Sequence, residues 1–428
     1  MKLRARQLFK YTNKVYGIFQ SFAAISEGRV NPSIPLLSIL KVLFSAMVLG
    51  IQSFNLIESH LREGSFNKLL GSSGFSFSAD TLGYALARTT PRQFSEINDK
   101  VIKKARYGKV YQGGTIDGFK VTALDGSEVF RTKHKSWSCE ECRVTEITKE
   151  DGSKELQYHE DVVGACYVGR HPNLVLGLER VARGEGEISA AMRLLKDLYQ
   201  RHNRYTDIIT LDSLYAKAPI INEITNQNMI AVIRVKQQDY HIIRDAEGLF
   251  AGRKPNFSAL LSLNSSWYTD DDTSGRKYCY RVRIWDSTGF TSWSTVKAPL
   301  RVLRIEETRI SHSGKVLRKP VVTHLVTTAD EATVPTETLW RILHRRWDVE
   351  NKVFHNLKKF WGFGRNYHHD STAFMVMLFM AVIAMNLTFL FYHRRLPASF
   401  KRKNSLLSLR DMIKMTFQSV SKELWDPG

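Results

Sequence analysis

The sequence predicts an α/β core with a β-rich insertion, preceded by an α-helical amino-terminal domain. Three observations carry this. Apolar residues recur at three- and four-residue spacing through residues 1–109, the period of a helix with one buried face. Short apolar runs then alternate with helical patterns over 110–236, as strands and helices do in an α/β sheet. Residues 237–332 turn β-like, and helical periodicity returns over 333–395.

In the first segment the stretch IPLLSILKVLFSAMVLGIQSFNLIESHL has the helical pattern, and Ser78 or Asp80 is placed to cap a helix beginning at TLGYALAR. The segment closes on a basic run, Lys103, Lys104, Arg106 and Lys109, which fits a module that grips DNA ends as well as it fits a helical scaffold.

In the second, FKVTAL reads as a strand ending at Asp125-Gly126, with a new strand from Glu128, and VVGACYVG and NLVLGLERV read as further strands. Ile188, Met192, Leu195 and Leu198 share one face of a helix over 186–200, and DIITL forms a short strand ending at Asp212. A helix over 218–227 and a strand over 230–235 complete it. The runs YCYRVRIW, LRVLRIEET and PVVTHLVTT, separated by Gly, Ser and Asp clusters, make the β-rich insertion. Residues 396–428 form a basic tail with KRK ahead of a short amphipathic helix.

The formal charge is +20, distributed as +10 over residues 1–110, +1 over 111–340 and +9 over 341–428. Two basic flanks around a nearly neutral centre suit a polyanion held at both sides of an acidic site. Four cysteines in 428 residues, with no charged-then-apolar leader, point to a reducing cytoplasm and away from a secreted disulfide framework. Residues 372–392 carry no charge and reach the ~20-residue length of a membrane span. Asn386 and two threonines interrupt them, so they are read as a buried helix, with no membrane partner expected.

Cutting a phosphodiester without a covalent protein intermediate needs a strong oxygen nucleophile and neutralisation of transition-state charge, which two divalent ions ~3.5–4 Å apart supply together. Magnesium takes oxygen ligands, so acids must gather from distant parts of the chain. Asp125 follows an apolar strand and precedes Gly126, Asp212 ends another strand, and Glu350 lies on a helix whose Trp347 and Phe354 are placed to hold it against the sheet. Asp117 competes for the first position, but GGTI before it is a poorer strand than FKVTAL. Each acid alone has an ordinary reading, as a turn or an ion-paired surface residue.

In order and spacing, VTALDGSEVF, ITLDSLYAKAPIINEI and HRRWDVENKVFHNLKKFWGF resemble the three acidic motifs of bacterial insertion-sequence DDE transposases, in the branch with a β-rich insertion before the glutamate. Asp125 and Asp212 are 87 positions apart, and Asp212 and Glu350 are 138 apart. The resemblance implies a ribonuclease-H-like catalytic core holding two Mg²⁺ ions, or Mn²⁺ in their place, on Asp125, Asp212 and Glu350. It also implies hydrolysis at element ends followed by strand transfer into target DNA; because two ends must be brought together, a homodimer is expected. That branch has an arginine four residues before the acid, matched by Arg346, a tyrosine where this chain has Leu343, and a lysine one position before Lys358. Arg346, Lys358 and Lys359 are accordingly expected at DNA. A stand-alone nuclease on the same core and an inactive DNA-binding derivative are the competing readings.

The pair Cys139 and Cys142 has the gap of a zinc knuckle, with His134, His159 and Cys166 as candidates to complete a structural Zn²⁺ site; two ordinary thiols in a hairpin are the plainer reading. Trp267, Trp285 and Trp293 are expected mainly in β-core packing, with base stacking as the alternative. His368-His369 reads as a polar pair at a helix start.

Overall fold

The computed structural model describes residues 3–70, 76–138, 141–236, 240–263, 278–311 and 313–422. Seven helices come first: α1 (Leu3–Tyr16), α2 (Ile18–Ala23), α3 (Leu36–Leu49), α4 (Phe54–Arg62), α5 (Ser65–Leu70), α6 (Ala79–Ala87) and α7 (Pro91–Tyr107). Ser78 caps α6 by accepting from the Thr81 amide, and α3 stops at Gly50, whose φ of 72° only glycine adopts without cost.

Then come β1 (Val121–Thr132), β2 (Arg143–Thr148), β3 (Lys154–Tyr167), β4 (Val175–Arg180), α8 (Glu187–His202), β5 (Ile208–Leu211), α9 (Ala218–Asn226) and β6 (Ile230–Val235). The strand expected to end at Asp125 does not end there. Residues 121–132 form a single strand through Asp125-Gly126, because β3 pairs with it on both sides of these two residues, opposite Gly164 and Val163, and holds two poor strand formers extended. A register shift between Glu128 and Phe130 is the only break in its pairing with β3.

After α10 (His241–Phe250), four strands follow: β7 (Phe257–Leu261), β8 (Tyr278–Phe290), β9 (Leu300–Ser311) and β10 (Val321–Thr327). They join the same sheet, since β10 pairs antiparallel with β6. Among the described residues the sheet has ten strands, ordered β2-β3-β1-β5-β6-β10-β9-β8-β7 with β4 also on β3. Only the β1–β5 and β5–β6 pairs are parallel.

A buried ion pair fastens the later strands to the helix after them. Arg301 of β9 donates to Asp286 of β8 at 2.8 and 2.5 Å, and to Val334 O and Thr336 Oγ1 at 2.7 and 3.0 Å. Thr336 opens α11 (Thr336–Arg345), which leads to a π-helical segment at Val349–Phe354 and to α12 (His355–Phe360).

Next is α13 (Ser371–Leu390), whose residues run on to Arg395 in a second π-helical segment. It is long and apolar enough to cross a membrane, and its residues from Ala373 to Leu390 lie buried here, packed on α3, α6 and α7. Its Asn386 accepts from the Val175 amide at 3.0 Å and donates to Val175 O and to Asn98 Oδ1, both at 2.9 Å. A buried amide satisfied on both sides latches the helical layer to β4. Finally, α14 (Ala398–Lys403) carries the KRK run and α15 (Leu406–Lys422) packs on α1, α3 and α5.

Candidate active site

The strand register brings the first two acids together. In the parallel pair of β1 and β5, Val121 faces Ile208 and Ala123 faces Thr210, an offset of 87 residues. The same offset separates Asp125 from Asp212, so the two lie side by side at the carboxyl end of β5, on strands ~4.8 Å apart. Asp125 Oδ1 accepts from the Gly126 amide at 3.0 Å. Asp212 Oδ1 accepts from the Leu214 amide at 2.8 Å and from Ser213 Oγ at 2.9 Å.

Glu350 reaches the same place from the π-helical segment, where a widened turn of this kind re-aims side chains. That segment packs on β1 and β3 through Phe354, which is 3% exposed and covers Gly164; a Cβ there would meet the Phe354 ring at 2.8 Å. Trp347, expected to do the same, is instead partly exposed, with the Arg346 guanidinium 4.6 Å from its ring centre. Asp348 completes the anchorage by accepting from the Gly169 amide at 3.2 Å. Gly164→Ala is expected to cost about 1–3 kcal/mol by overpacking, read as a lower urea midpoint. It should also lower activity at this site by displacing Glu350. Unchanged activity in a destabilised variant would show that Phe354 does not position Glu350.

Asp125, Asp212 and Glu350 line one cavity of ≈580 Å³, shared with Gly126, Glu128, Arg346 and Lys358. Burial pushes Asp125 up to about 6, with Asp212 and Glu350 adding to the rise and Arg346 opposing it. Burial also acts on Asp212, but the Leu214 amide, the Ser213 hydroxyl, Arg346 and Lys236 outweigh it and hold that carboxyl below its ordinary value. Arg346, 1% exposed, stands 3.2 Å from Asp125 and 3.9 Å from Asp212. One guanidinium thus serves two carboxylates, and those of Glu350 and Glu128 share the cavity.

Residues 118–387 match the family model described as Transposase DDE domain. The chain belongs to the DDE transposases. No curated protein matches it.

DDE transposases use divalent metals and act on DNA. The cavity of this transposase fits such ions by its chemistry, since the carboxylates of Asp125, Asp212 and Glu350, with Glu128 beside them, offer oxygen donors only and Asp125 remains raised despite Arg346. Asp117, the competitor for the first acid, lies elsewhere: it is in a turn at φ 46°, 2.7 Å from Arg341 and 3.0 Å from Thr338 Oγ1. Lys358 lines the cavity, and its partial burial lowers its pKa against the pull of Glu128 and Glu350. Lys359 lies outside the cavity lining, its ammonium 5.3 Å from the Phe360 ring centre, and Leu343 is buried in α11.

Glu187 was not foreseen from the sequence. It sits in the first turn of α8, where its carboxylate accepts from Tyr215 Oη at 3.0 Å, and a Cβ on Gly126 would meet it at 2.2 Å. Burial raises its pKa, with Asp161 and Asp212 contributing. The readable signal was the helix-initial acid in GEGEIS, which is too common at helix starts to single out.

The proposed zinc ligands do not come together. Cys139 lies outside the described residues. His159 and Cys166 are seven residues apart on β3, which at ~3.3 Å per residue is roughly 23 Å, too far to share an ion. Cys166 lies buried in the sheet opposite Ala123, its thiol pushed up by burial and then by Asp125. His159 instead lies with Glu128 and Asp161, ligating atoms within 4.8 Å of one another, but both its nitrogens are engaged, with Asp161 Oδ2 at 2.9 Å and Thr145 Oγ1 at 2.8 Å. Trp285 donates to Arg253 O at 2.8 Å, and Trp293 packs 5.2 Å from Tyr240; Trp267 lies outside the described residues. Of the histidine pair, His368 accepts from the Asp370 amide at the start of α13 and His369 bonds Ser138 O.

Proposed function

We propose that this transposase cuts DNA at the ends of an insertion element and joins the freed ends to target DNA, on a ribonuclease-H-like core with Asp125, Asp212 and Glu350 as the metal-holding acids. The observation that carries the reading is the shared 87-residue offset of the β1–β5 pairing and of the two aspartates, with Glu350 lining the same cavity. An antiparallel β3–β1 pair continuing into parallel β5 and β6 supports the core assignment.

Two Mg²⁺ ions, for which Mn²⁺ substitutes, would supply an activated water and neutralise charge on the reacting phosphate. Asp125 and Asp212 hold one side of that site and Glu350 closes it. Arg346 keeps the two aspartates charged and oriented before DNA arrives, and Lys358 meets a phosphate at the mouth. Water oxygen attacks phosphorus and the P–O3′ bond breaks, leaving a 3′-hydroxyl and a 5′-phosphate. That hydroxyl then attacks a target phosphodiester, displacing the target's own 3′ oxygen. Because two ends must be joined at once, a homodimer in the cytoplasm is the proposed working form.

A labelled duplex carrying the element's terminal repeats, incubated with the protein in Mg²⁺, tests this. Unaltered protein should cut and join at the repeat ends, and Asp117→Ala should retain both reactions. Cutting without joining would leave a nuclease, and loss of activity only in Asp117→Ala would displace Asp125 from the site.

A further inference from the structure

A second cavity, of ≈790 Å³, lies at the other end of β1, between the carboxyl ends of α7 and α8 and the turn before β1. Lys120, in its lining, precedes Asp125 by five residues along extended chain, roughly 17 Å at ~3.3 Å per residue. The two cavities are therefore separate.

Ordinary structural needs account for some of the positive charge here. Arg201 is paired with Asp99 and Asp197, Arg204 lies 3.2 Å from Asp207, and Arg106 donates to the carbonyls of His202 and Arg204 at the end of α8. A cation at a helix carboxyl terminus complements the macrodipole. Lys103, Lys109 and Lys120 remain, with no carboxylate within ion-pair distance among the described residues.

Two further features set the surface apart. Lys109 holds φ 56° and Asn203 φ 54°, a region where a side chain costs free energy that glycine would not, so Lys109 sits where glycine would be the less strained residue. Tyr107, in the same lining, is 85% exposed. Lysine ammonium, tyrosine hydroxyl and asparagine amide are the groups that contact phosphate and sugar oxygens. Arg394 adds to this rim by donating to Gly108 O at 3.3 Å, which brings the basic carboxyl-terminal segment beside the basic end of α7.

We propose that the cavity lined by Lys103, Tyr107, Lys109, Lys120 and Asn203 is a docking surface for the sugar–phosphate backbone of duplex DNA, independent of sequence and separate from the phosphate being cut. It rests on the DNA-processing reading above and adds a second DNA contact.

The test is binding of the full-length protein to a duplex unrelated to the element, by fluorescence anisotropy across a salt series. Each lost phosphate contact lowers the slope of log K against log salt by ~0.9, so Lys103→Ala/Lys109→Ala/Lys120→Ala should lower it by about 2–3. Lys109→Gly guards against misfolding: glycine relieves the backbone, so the thermal midpoint should rise while the slope falls by about 1. A photo-crosslinking residue at position 107 should capture the same duplex. Unchanged slopes in both variants, with no crosslink from 107 while DNA is still bound, overturn this surface and leave the transposase reading standing. Failure of the unaltered protein to bind any duplex overturns both.

Discussion

Replacing Asp125 with asparagine is expected to lower DNA cleavage by more than about 100-fold, beyond the loss that follows removal of even an outer partner of a metal ligand, while making the metal-free protein more stable at pH 8. The two effects have one cause. Burial, with Asp212 and Glu350 beside it, raises the Asp125 carboxyl from 3.8 to about 6 in the folded chain. An acid whose folded value is raised binds its proton more tightly when folded, so stability falls as pH climbs from about 4 to about 6 and stays lowered above. A rise of about two units is worth at most ~3 kcal/mol, and the amide does not carry that burden. Urea unfolding at pH 4 and pH 8 would show it: variant and wild type should differ little at pH 4, and the variant should be the more stable at pH 8. Added Mg²⁺ should narrow the gap by stabilising the wild type alone. A variant that is less stable at pH 8 would mean that Arg346 depends on Asp125 more than the clustered acids repel it.

Arg301→Met is expected to cost about 3–5 kcal/mol, the range for leaving one member of a buried ion pair without its partner. Arg301 and Asp286 both have side chains only 1% exposed, so water does not reach the stranded carboxylate. The second substitution decides the mechanism: Arg301→Met/Asp286→Leu should recover most of the loss, since an apolar pair of similar volume is often as stable as the ion pair it replaces. Cleavage should fall in the single variant as well, because Arg301 donates to Val334 and Thr336 at the start of the helix that leads to Glu350. Equal stability of single and double variants would show that the polar links to Thr336, and not the stranded charge, hold the region.

The two aspartates were legible because each follows an apolar run that is buried on both faces, and such runs stand out from their polar surroundings. Ile230–Val235 and Ala218–Asn226 were readable because period and length agree. Asp125-Gly126 misled because local preference argues for a turn and the opposing force, pairing with β3, comes from residues far away in sequence. The widened turn at Val349–Phe354 has no sequence signature of its own; it shows only in the contact of Phe354 with Gly164. Glu187 was hidden for a related reason, since it meets Gly126 and Tyr215 only in the fold. The cysteine pair looked like a knuckle because spacing says nothing about which strand carries the remaining ligands.

The pairing of β10 with β6 bears on how far this protein can be shortened. Without the strands that follow α10, β6 becomes an unprotected edge, with a row of open amide and carbonyl groups flanked by Ile230, Val232 and Ile233. Such a rim recruits other chains. The excursion between the second and third acids therefore covers the β6 edge as well as spacing the acids, and a trimmed version is expected to self-associate.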